Sequence, residues 1–123
     1  VAKLLGDAGI VRHRGKITST INNARRAVEL VGEAGSLRDF FWRFAPSIEE
    51  RPARIDKAAL KGLSRSAQSV RLARELKKRG WSFVGPVTAY AFMQACGLVN
   101  DHLEGCVCRA GVELERQQFR RPG

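Results

Sequence analysis

The sequence lacks the features that mark exported and membrane proteins. No run approaches the ~18 consecutive apolar residues that a membrane span requires, and residues 1–10 do not have the layout of a signal peptide. Its three cysteines are an odd number, which argues against a secreted disulfide framework. We therefore expect a protein of the reducing cytoplasm with no membrane association. A hydrophobic content of 44% also excludes a disordered tail.

Acidic residues are scarce, with 12 Asp and Glu against 22 Lys and Arg, for a formal net charge of +10. The excess lies in two segments. Residues 8–28 hold five basic residues and no acid, residues 65–79 hold six basic residues and one acid, and elsewhere the charges cancel. Positive charge concentrated in this way predicts a polyanionic partner such as nucleic acid, although a charge run can also be a solvated helix face.

No segment of alternating β-branched residues is long enough for a strand, and the apolar spacing is helical nearly throughout, which predicts an all-α fold. Ser36 is expected to begin a short aromatic helix. Residues 45–64 are predicted to form a loop with at most one helical turn, and residues 109–123 a loosely held tail. In the helix predicted over residues 16–32, one apolar stripe is formed by Ile17, Ile21, Ala24, Val28 and Val31.

Two predicted helices flank the sequence GWSFVG. The first begins at Ser69 as its N-cap, and the second begins at Pro86 and ends before Gly97. Exposed backbone N–H groups beside a helix N-terminus favour phosphate binding, so residues 69–97 are predicted to form a DNA-binding helix-hairpin-helix. We interpret Trp81 and Phe83 as residues that pack within the protein, in preference to residues that stack on DNA bases. The predicted DNA-binding residues are Lys77, Lys78, Arg79, Gly80 and Gly85.

The run LKKRGWSFVGPVTAYAFMQACGLVNDHLEGC, residues 76–106, closely resembles the C-terminal signature of the DNA-3-methyladenine glycosylase I family. The stretches AGIVRHRGKI at residues 8–17 and NNAR at residues 22–25 resemble the central segment of the same family. The resemblance covers residues 1–108, fades across 45–64 and is absent from the tail. It implies a helical glycosylase domain over residues 1–108, acting as a monomer on double-stranded alkylated DNA.

The resemblance also implies an activity, which is hydrolysis of the N-glycosidic bond of 3-methyladenine after the base is flipped out of the duplex. Val87 stands where bifunctional relatives carry a nucleophilic lysine, which implies a monofunctional enzyme. Asn100 stands where many relatives carry a catalytic aspartate, and the nearby Asp101 is expected to cap or pair at a helix end. Tyr90 and Asn100 are expected to border the base pocket, although Tyr90 fits equally well as a core residue.

His102 and Cys106 have the one-turn separation seen in zinc sites, and a structural site needs four ligands. The resemblance implies that both are ligands of a structural zinc ion, with the other two ligands in a segment preceding Val1. It places Val1 about a third of the way into a family chain. The pocket glutamate is expected in that preceding segment, so that this chain carries no identified catalytic residue.

Two other interpretations stay open. The chain could be a non-catalytic DNA-binding module or an inactive truncated relative, in which the hairpin is kept without the chemistry. A basic RNA-associated helical protein would explain the charge but not the run that ends at Cys106. A segment upstream of Val1 with a Cys/His pair and a pocket glutamate would favour the enzyme.

Overall fold

A computed structural model describes residues 1–52 and 56–122, apart from the side chains of residues 59 and 60. Within those limits it contains helices and no strand, which confirms the all-α prediction. None of the helices there combines the length and apolar character needed to cross a bilayer. The helices are α1 (Ala2–Leu5), α2 (Arg14–Ala34), α3 (Leu37–Trp42), α4 (Lys57–Leu60), α5 (Ala67–Lys78), α6 (Pro86–Ala95) and α7 (Val107–Gln118).

The core lies where α5 and α6 pack together against α2 and α3. Leu72 and Leu76 supply the inner face of α5, and Met93 supplies that of α6. Complete burial of a side chain of this size contributes roughly 1.5–3 kcal/mol. The remaining buried members of the core are Leu30, Phe40, Ala45, Ala73, Ala89 and Leu98. This arrangement holds the turn between α5 and α6 at one end of the domain.

The inner face of α2 differs from the predicted apolar stripe. Ile17 is buried as expected, but Ala24, Val28 and Val31 are exposed, with 74% of Val28 accessible to solvent. The side of α2 that faces the domain instead carries the polar Ser19 and Asn23 before it reaches Leu30. The stripe prediction was wrong there because these polar groups bind the segment between α5 and α6.

The start of α5 lies three residues earlier than predicted. Ser66 is the N-cap, and its hydroxyl accepts from the backbone N–H of Ser69 while the hydroxyl of Ser69 accepts from the backbone N–H of Ser66. Ser69 is therefore the third helical residue of a reciprocal capping box. The start of α6 at Pro86 and its stop before Gly97 are confirmed, as is the Ser36 cap of α3.

The loosely held tail was a wrong prediction for its described part, since α7 begins at Val107 and packs back onto the domain. Phe119 stacks on Trp42 with ring centroids 4.5 Å apart. Arg121 donates 2.7 Å to the carbonyl oxygen of Ala45. The helical domain therefore continues past residue 108. The single turn of α4 agrees with the predicted loop over residues 45–64. Residues 53–55 of that loop, and Gly123 at the end of the predicted tail, lie outside the described part of the chain.

Candidate functional site

The hairpin, defined as residues 80–85 between α5 and α6, is held in place by α2. The side-chain amide of Asn23 donates to the Ser82 carbonyl at 2.8 Å and accepts from the Ser82 N–H at 3.0 Å. The hydroxyl of Ser19 contacts both the carbonyl and the hydroxyl of Ser82. Asn22 donates to the Gly80 carbonyl at 2.9 Å. The NNAR stretch therefore fixes the position of the hairpin backbone.

Sequence reasoning missed this role for Asn22 and Asn23. A signal was present, because asparagine is a poor residue for a helix interior, where its amide competes with the backbone for hydrogen bonds. Two consecutive asparagines near the middle of a 21-residue helix therefore need a partner outside it. The sequence does not reveal that this partner lies 59 residues away, at Ser82.

The cations predicted to bind DNA fall into two groups in the structure. Lys77 and Lys78 are exposed at the end of α5. Arg79 instead pairs with Glu33 and Glu75, and its guanidinium carbon lies 5.2 Å from the centre of the Phe40 ring. Its charge is thus paired with two acids within the domain, and its contact with DNA stays a prediction.

The glycines and aromatic residues of the hairpin have separate roles. Gly80 has φ +85°, a backbone conformation that side chains disfavour. Gly85 is the N-cap of α6 in an extended conformation, and a Cβ atom added to it would meet no atom within 4 Å. Trp81 packs against the core, as expected. Phe83 is 61% exposed, so its interpretation as a packing anchor was wrong.

Tyr90 and Asn100 line one cavity of about 460 Å³, so the structure brings together the two residues predicted to border a base pocket. The loop that follows α3 also contributes to the wall of the cavity. The cavity is also lined by Pro46, Ile48, Glu50, Arg51, Pro52, Leu63, Ser66, Gln68, Val99, Asp101 and Arg109. A pocket of this volume, mostly apolar with a few placed polar groups, is typical of a small-molecule site.

The Tyr90 ring is buried, and its hydroxyl donates to the Asp101 carboxylate. Burial, followed by this hydrogen bond, raises the pKa of Tyr90 above its ordinary value. Gln94 also donates to the Asp101 carboxylate, at 3.0 Å. Asp101 therefore pairs with α6, as the sequence interpretation expected, and the tyrosine remains a neutral donor at the cavity wall.

Asn100 is buried, and its side-chain amide makes three hydrogen bonds. Its Nδ2 donates to the Arg109 carbonyl at 3.1 Å and to the Glu113 carboxylate at 3.2 Å, and its Oδ1 accepts from the His102 N–H. Glu113 also receives two hydrogen bonds from Arg51. Asn100 thus shapes the wall of the cavity, with both N–H groups of its amide bound within the domain. Sequence reasoning missed Arg51 and Glu113, which no local pattern connects.

The hydrogen bond from Arg51, followed by that from Asn100, lowers the pKa of Glu113 to about 2. The carboxylate therefore stays ionised at neutral pH and holds Arg51 at the edge of the cavity. Arg116 lies beside this pair on α7 and donates to the Gly97 carbonyl. Burial lowers the pKa of Arg116 from its ordinary value. The α7 helix thus supplies charged groups that fix the loop wall.

His102 and Cys106 approach each other between α6 and α7, with the imidazole Nδ1 3.8 Å from the thiol sulfur. Bond lengths of about 2.1 Å and 2.3 Å in tetrahedral geometry would separate the two ligand atoms by about 3.6 Å. The pair therefore fits two corners of a zinc site. Among the described residues, no third His, Cys, Asp or Glu joins the pair to make a metal-binding group.

Comparison with known proteins identifies the family. The methyladenine glycosylase family model matches residues 1–110. The chain is 44% identical over 112 residues to DNA-3-methyladenine glycosylase 1 of Escherichia coli (strain K12), covering 90% of this chain and 58% of that protein. It is 39% identical over 106 residues to DNA-3-methyladenine glycosylase of Haemophilus influenzae, covering 84% of this chain and 55% of that protein.

Solved structures agree on the fold. A crystal structure of 3-methyladenine DNA glycosylase I superposes with a TM-score of 0.75 at 44% identity, over 88% of this chain and 58% of that one. A structure of 3-methyladenine DNA glycosylase I from Staphylococcus aureus, described for its recognition of 3-methyladenine, gives 0.76 at 27% identity, over 88% and 56%. The chain thus spans less than two thirds of the length of these relatives. Sequence and fold together place this chain in the methyladenine glycosylase family.

Proposed function

We propose that this chain carries the DNA-binding hairpin and part of the base pocket of a monofunctional DNA glycosylase. The enzyme excises 3-methyladenine from double-stranded alkylated DNA, as the first step of base-excision repair. The observation that carries the proposal is the family match over residues 1–110, which includes both the hairpin and the cavity at Tyr90. In this proposal the enzyme acts as a monomer in the cytoplasm, where its free cysteines stay reduced.

Hydrolysis of this glycosidic bond does not require a strong acid catalyst. Methylation at N3 leaves the adenine cationic and already a good leaving group, so recognition of the flipped base and a positioned water supply most of the acceleration. Tyr90 lines the cavity, and its hydroxyl donates a hydrogen bond to Asp101. Asn100 keeps the wall in place through Glu113. The groups that act directly on the base or water belong to the remainder of the whole protein.

The hairpin binds the DNA backbone in this proposal. The space around Gly85 lets a phosphate approach the backbone at the start of α6, where N–H groups point outward. Lys77 and Lys78 add exposed positive charge next to it. Contacts of this kind position the protein on duplex DNA without reading its sequence.

Duplex-binding measurements test the hairpin. We expect Lys78→Ala to lower affinity equally for different sequences and to reduce the slope of log affinity against log salt by about one. We expect Gly85→Val to weaken binding because the added side chain fills the open approach. Unchanged affinity and salt slope in both variants would contradict a hairpin interface.

Val87 supports hydrolysis without strand cleavage. Its side chain is exposed at the start of α6, at the position where bifunctional relatives carry lysine. A valine cannot form the Schiff base that precedes strand cleavage. Borohydride treatment of the protein with damaged DNA should therefore trap no covalent adduct. A stable cross-linked band that maps to this domain would overturn the monofunctional assignment.

His102 and Cys106 are proposed as two ligands of a structural zinc ion, with the other two supplied by the whole protein. When bound, such an ion ties distant segments together and contributes its binding energy to folding. We expect the whole protein to hold one zinc ion and to lose thermal stability with Cys106→Ser. Cys108→Ser, which alters an exposed thiol two residues away, is the matched control. Equal melting of both variants and absence of zinc would leave His102 and Cys106 as packing residues.

Release of free 3-methyladenine from methylated DNA, by this chain and by the whole protein, tests the activity. We expect release by the whole protein. A second candidate function is a non-catalytic DNA-binding module, in which the exposed Lys77 and Lys78 beside the hairpin would hold DNA without base release. DNA binding without base release by the whole protein would favour the module over the enzyme.

A further inference from the structure

Phe83 has an unusual backbone conformation. Among the described residues it is the only one other than glycine with a positive φ, at +56°. Side chains with a Cβ atom disfavour this region, whereas glycine adopts it freely. A glycine at residue 83 would therefore suit the hairpin better on conformational grounds alone. The phenylalanine side chain must therefore provide a benefit that outweighs the cost of this backbone conformation.

Packing of Phe83 against the core does not provide that benefit. The side chain of Phe83 is 61% exposed, in contrast to Trp81 two residues earlier, which packs against the core. Its ring reaches the first turn of α2, where Cζ lies 3.9 Å from the position of a Cβ atom on Gly15. An exposed aromatic ring on a disfavoured backbone is more consistent with binding than with stability.

The surroundings of the ring indicate what it binds. Gly15 stands between the exposed cations Arg14 and Lys16, in the acid-free segment that includes residues 12–28. Two further exposed cations, Lys77 and Lys78, end the helix that leads into the hairpin. The ring thus lies beside one cationic segment, at the start of α2, and belongs to a turn that follows a second one, at the end of α5. A polyanion held by those cations would bring its apolar parts against the ring.

We propose that Phe83 packs its ring on the deoxyribose of the DNA strand whose phosphates the hairpin holds. Sugars lie between successive phosphates, and their C–H faces are the apolar surface that a residue beside a phosphate site meets first. The contact adds affinity without sequence preference and without releasing a counterion. This inference rests on the proposed function, because it takes duplex DNA as the partner of the hairpin.

Fluorescence anisotropy with a labelled, undamaged duplex tests the contact on the full chain. We expect Phe83→Ala to weaken binding about fivefold to tenfold with the salt slope unchanged, and Phe83→Leu to recover most of the loss. Phe83→Gly should bind DNA as weakly as Phe83→Ala. Its urea unfolding midpoint should be higher than that of Phe83→Ala, because glycine adopts the positive φ of residue 83 without strain. Wild-type affinity in both the alanine and glycine variants would overturn the proposal.

Lys78→Ala separates this inference from the proposed function. A reduced salt slope in Lys78→Ala, together with unchanged affinity in the Phe83 variants, would contradict only the sugar contact. If all of these variants keep the wild-type affinity and salt slope, that result would contradict the hairpin interface itself. A reduced salt slope in Phe83→Ala would also count against the inference, since an apolar contact neutralises no phosphate.

Discussion

Arg51 and Glu113 form a two-point ion pair, with guanidinium-to-carboxylate distances of 2.9 Å and 2.6 Å, across 62 residues of sequence. One partner lies in the loop that lines the cavity, and the other lies on α7 beyond the part that the family model matches. Because Glu113 also holds Asn100, a helix that extends past the end of the family match supports the wall of the predicted pocket.

Replacing Glu113 by glutamine should destabilise the domain by about 1–3 kcal/mol, because it leaves Arg51 in a partly buried position without its charged partner. Urea unfolding at neutral pH measures the loss. Glu115→Gln, which changes an exposed acid on the same helix, should stay within about 0.5 kcal/mol of the wild type. Equal free energies of unfolding for the two variants would show that the ion pair contributes nothing.

The same carboxylate predicts a pH dependence. The pKa of Glu113 falls from an ordinary value of 4.5 to about 2 in the folded chain, so its stabilising contribution is complete above about pH 4.5 and is lost as the pH falls toward 2. Unfolding followed across this range should show a smaller acid-induced loss in Glu113→Gln than in the wild type. Parallel pH profiles for the two proteins would contradict the assignment.

Tyr90 is the only tyrosine in the chain, so its titration can be followed without overlap. Because burial and Asp101 raise its pKa, the folded protein should show no tyrosinate absorbance near pH 10, where the urea-unfolded chain is half ionised. The stability that depends on the neutral phenol should decline as the pH rises above 10. Ionisation of the folded protein with a midpoint near 10 would place the hydroxyl in solvent.

Asn23→Ala should loosen the hairpin, because it removes both hydrogen bonds to the Ser82 backbone. We expect a loss of about 1–3 kcal/mol and faster hydrogen exchange at the Ser82 amide, measured by NMR. Asn22→Ala removes the bond to the Gly80 carbonyl and a longer one, of 3.4 Å, to Asn23 Oδ1. Both bonds between Asn23 and Ser82 remain in this variant, so the Ser82 amide should stay protected. Unchanged protection of that amide in Asn23→Ala would contradict the role of Asn23 in holding the hairpin.

Much of the fold could be predicted from local signals. Pro86 and Gly97 bound α6 in the structure as they do in the sequence, and Ser36 caps α3, because each acts on the backbone within a few residues. The same local reasoning failed at α5, where Ser66 and Ser69 are both good caps. Only the reciprocal bonds between them show which residue starts the helix.

The remaining features depend on distant partners. The polar composition of residues 109–123 is typical of a tail, yet Phe119 and Arg121 bind the segment around Trp42 and Ala45, which lies more than 70 residues away. Likewise, the exposure of Val28 follows from the hydrogen bonds of the opposite face of α2 to the hairpin. No pattern within either segment contains that information.

The attachment of the hairpin to α2 limits its use as a transferable cassette. Residues 67–95 include both flanking helices and the whole turn, but the groups that grip Ser82 come from Ser19 and Asn23. Grafted alone onto another scaffold, this segment would keep its helices and leave the backbone N–H and carbonyl of Ser82 to water. A portable version therefore has to carry part of α2 with it, as a non-contiguous unit of two chain segments.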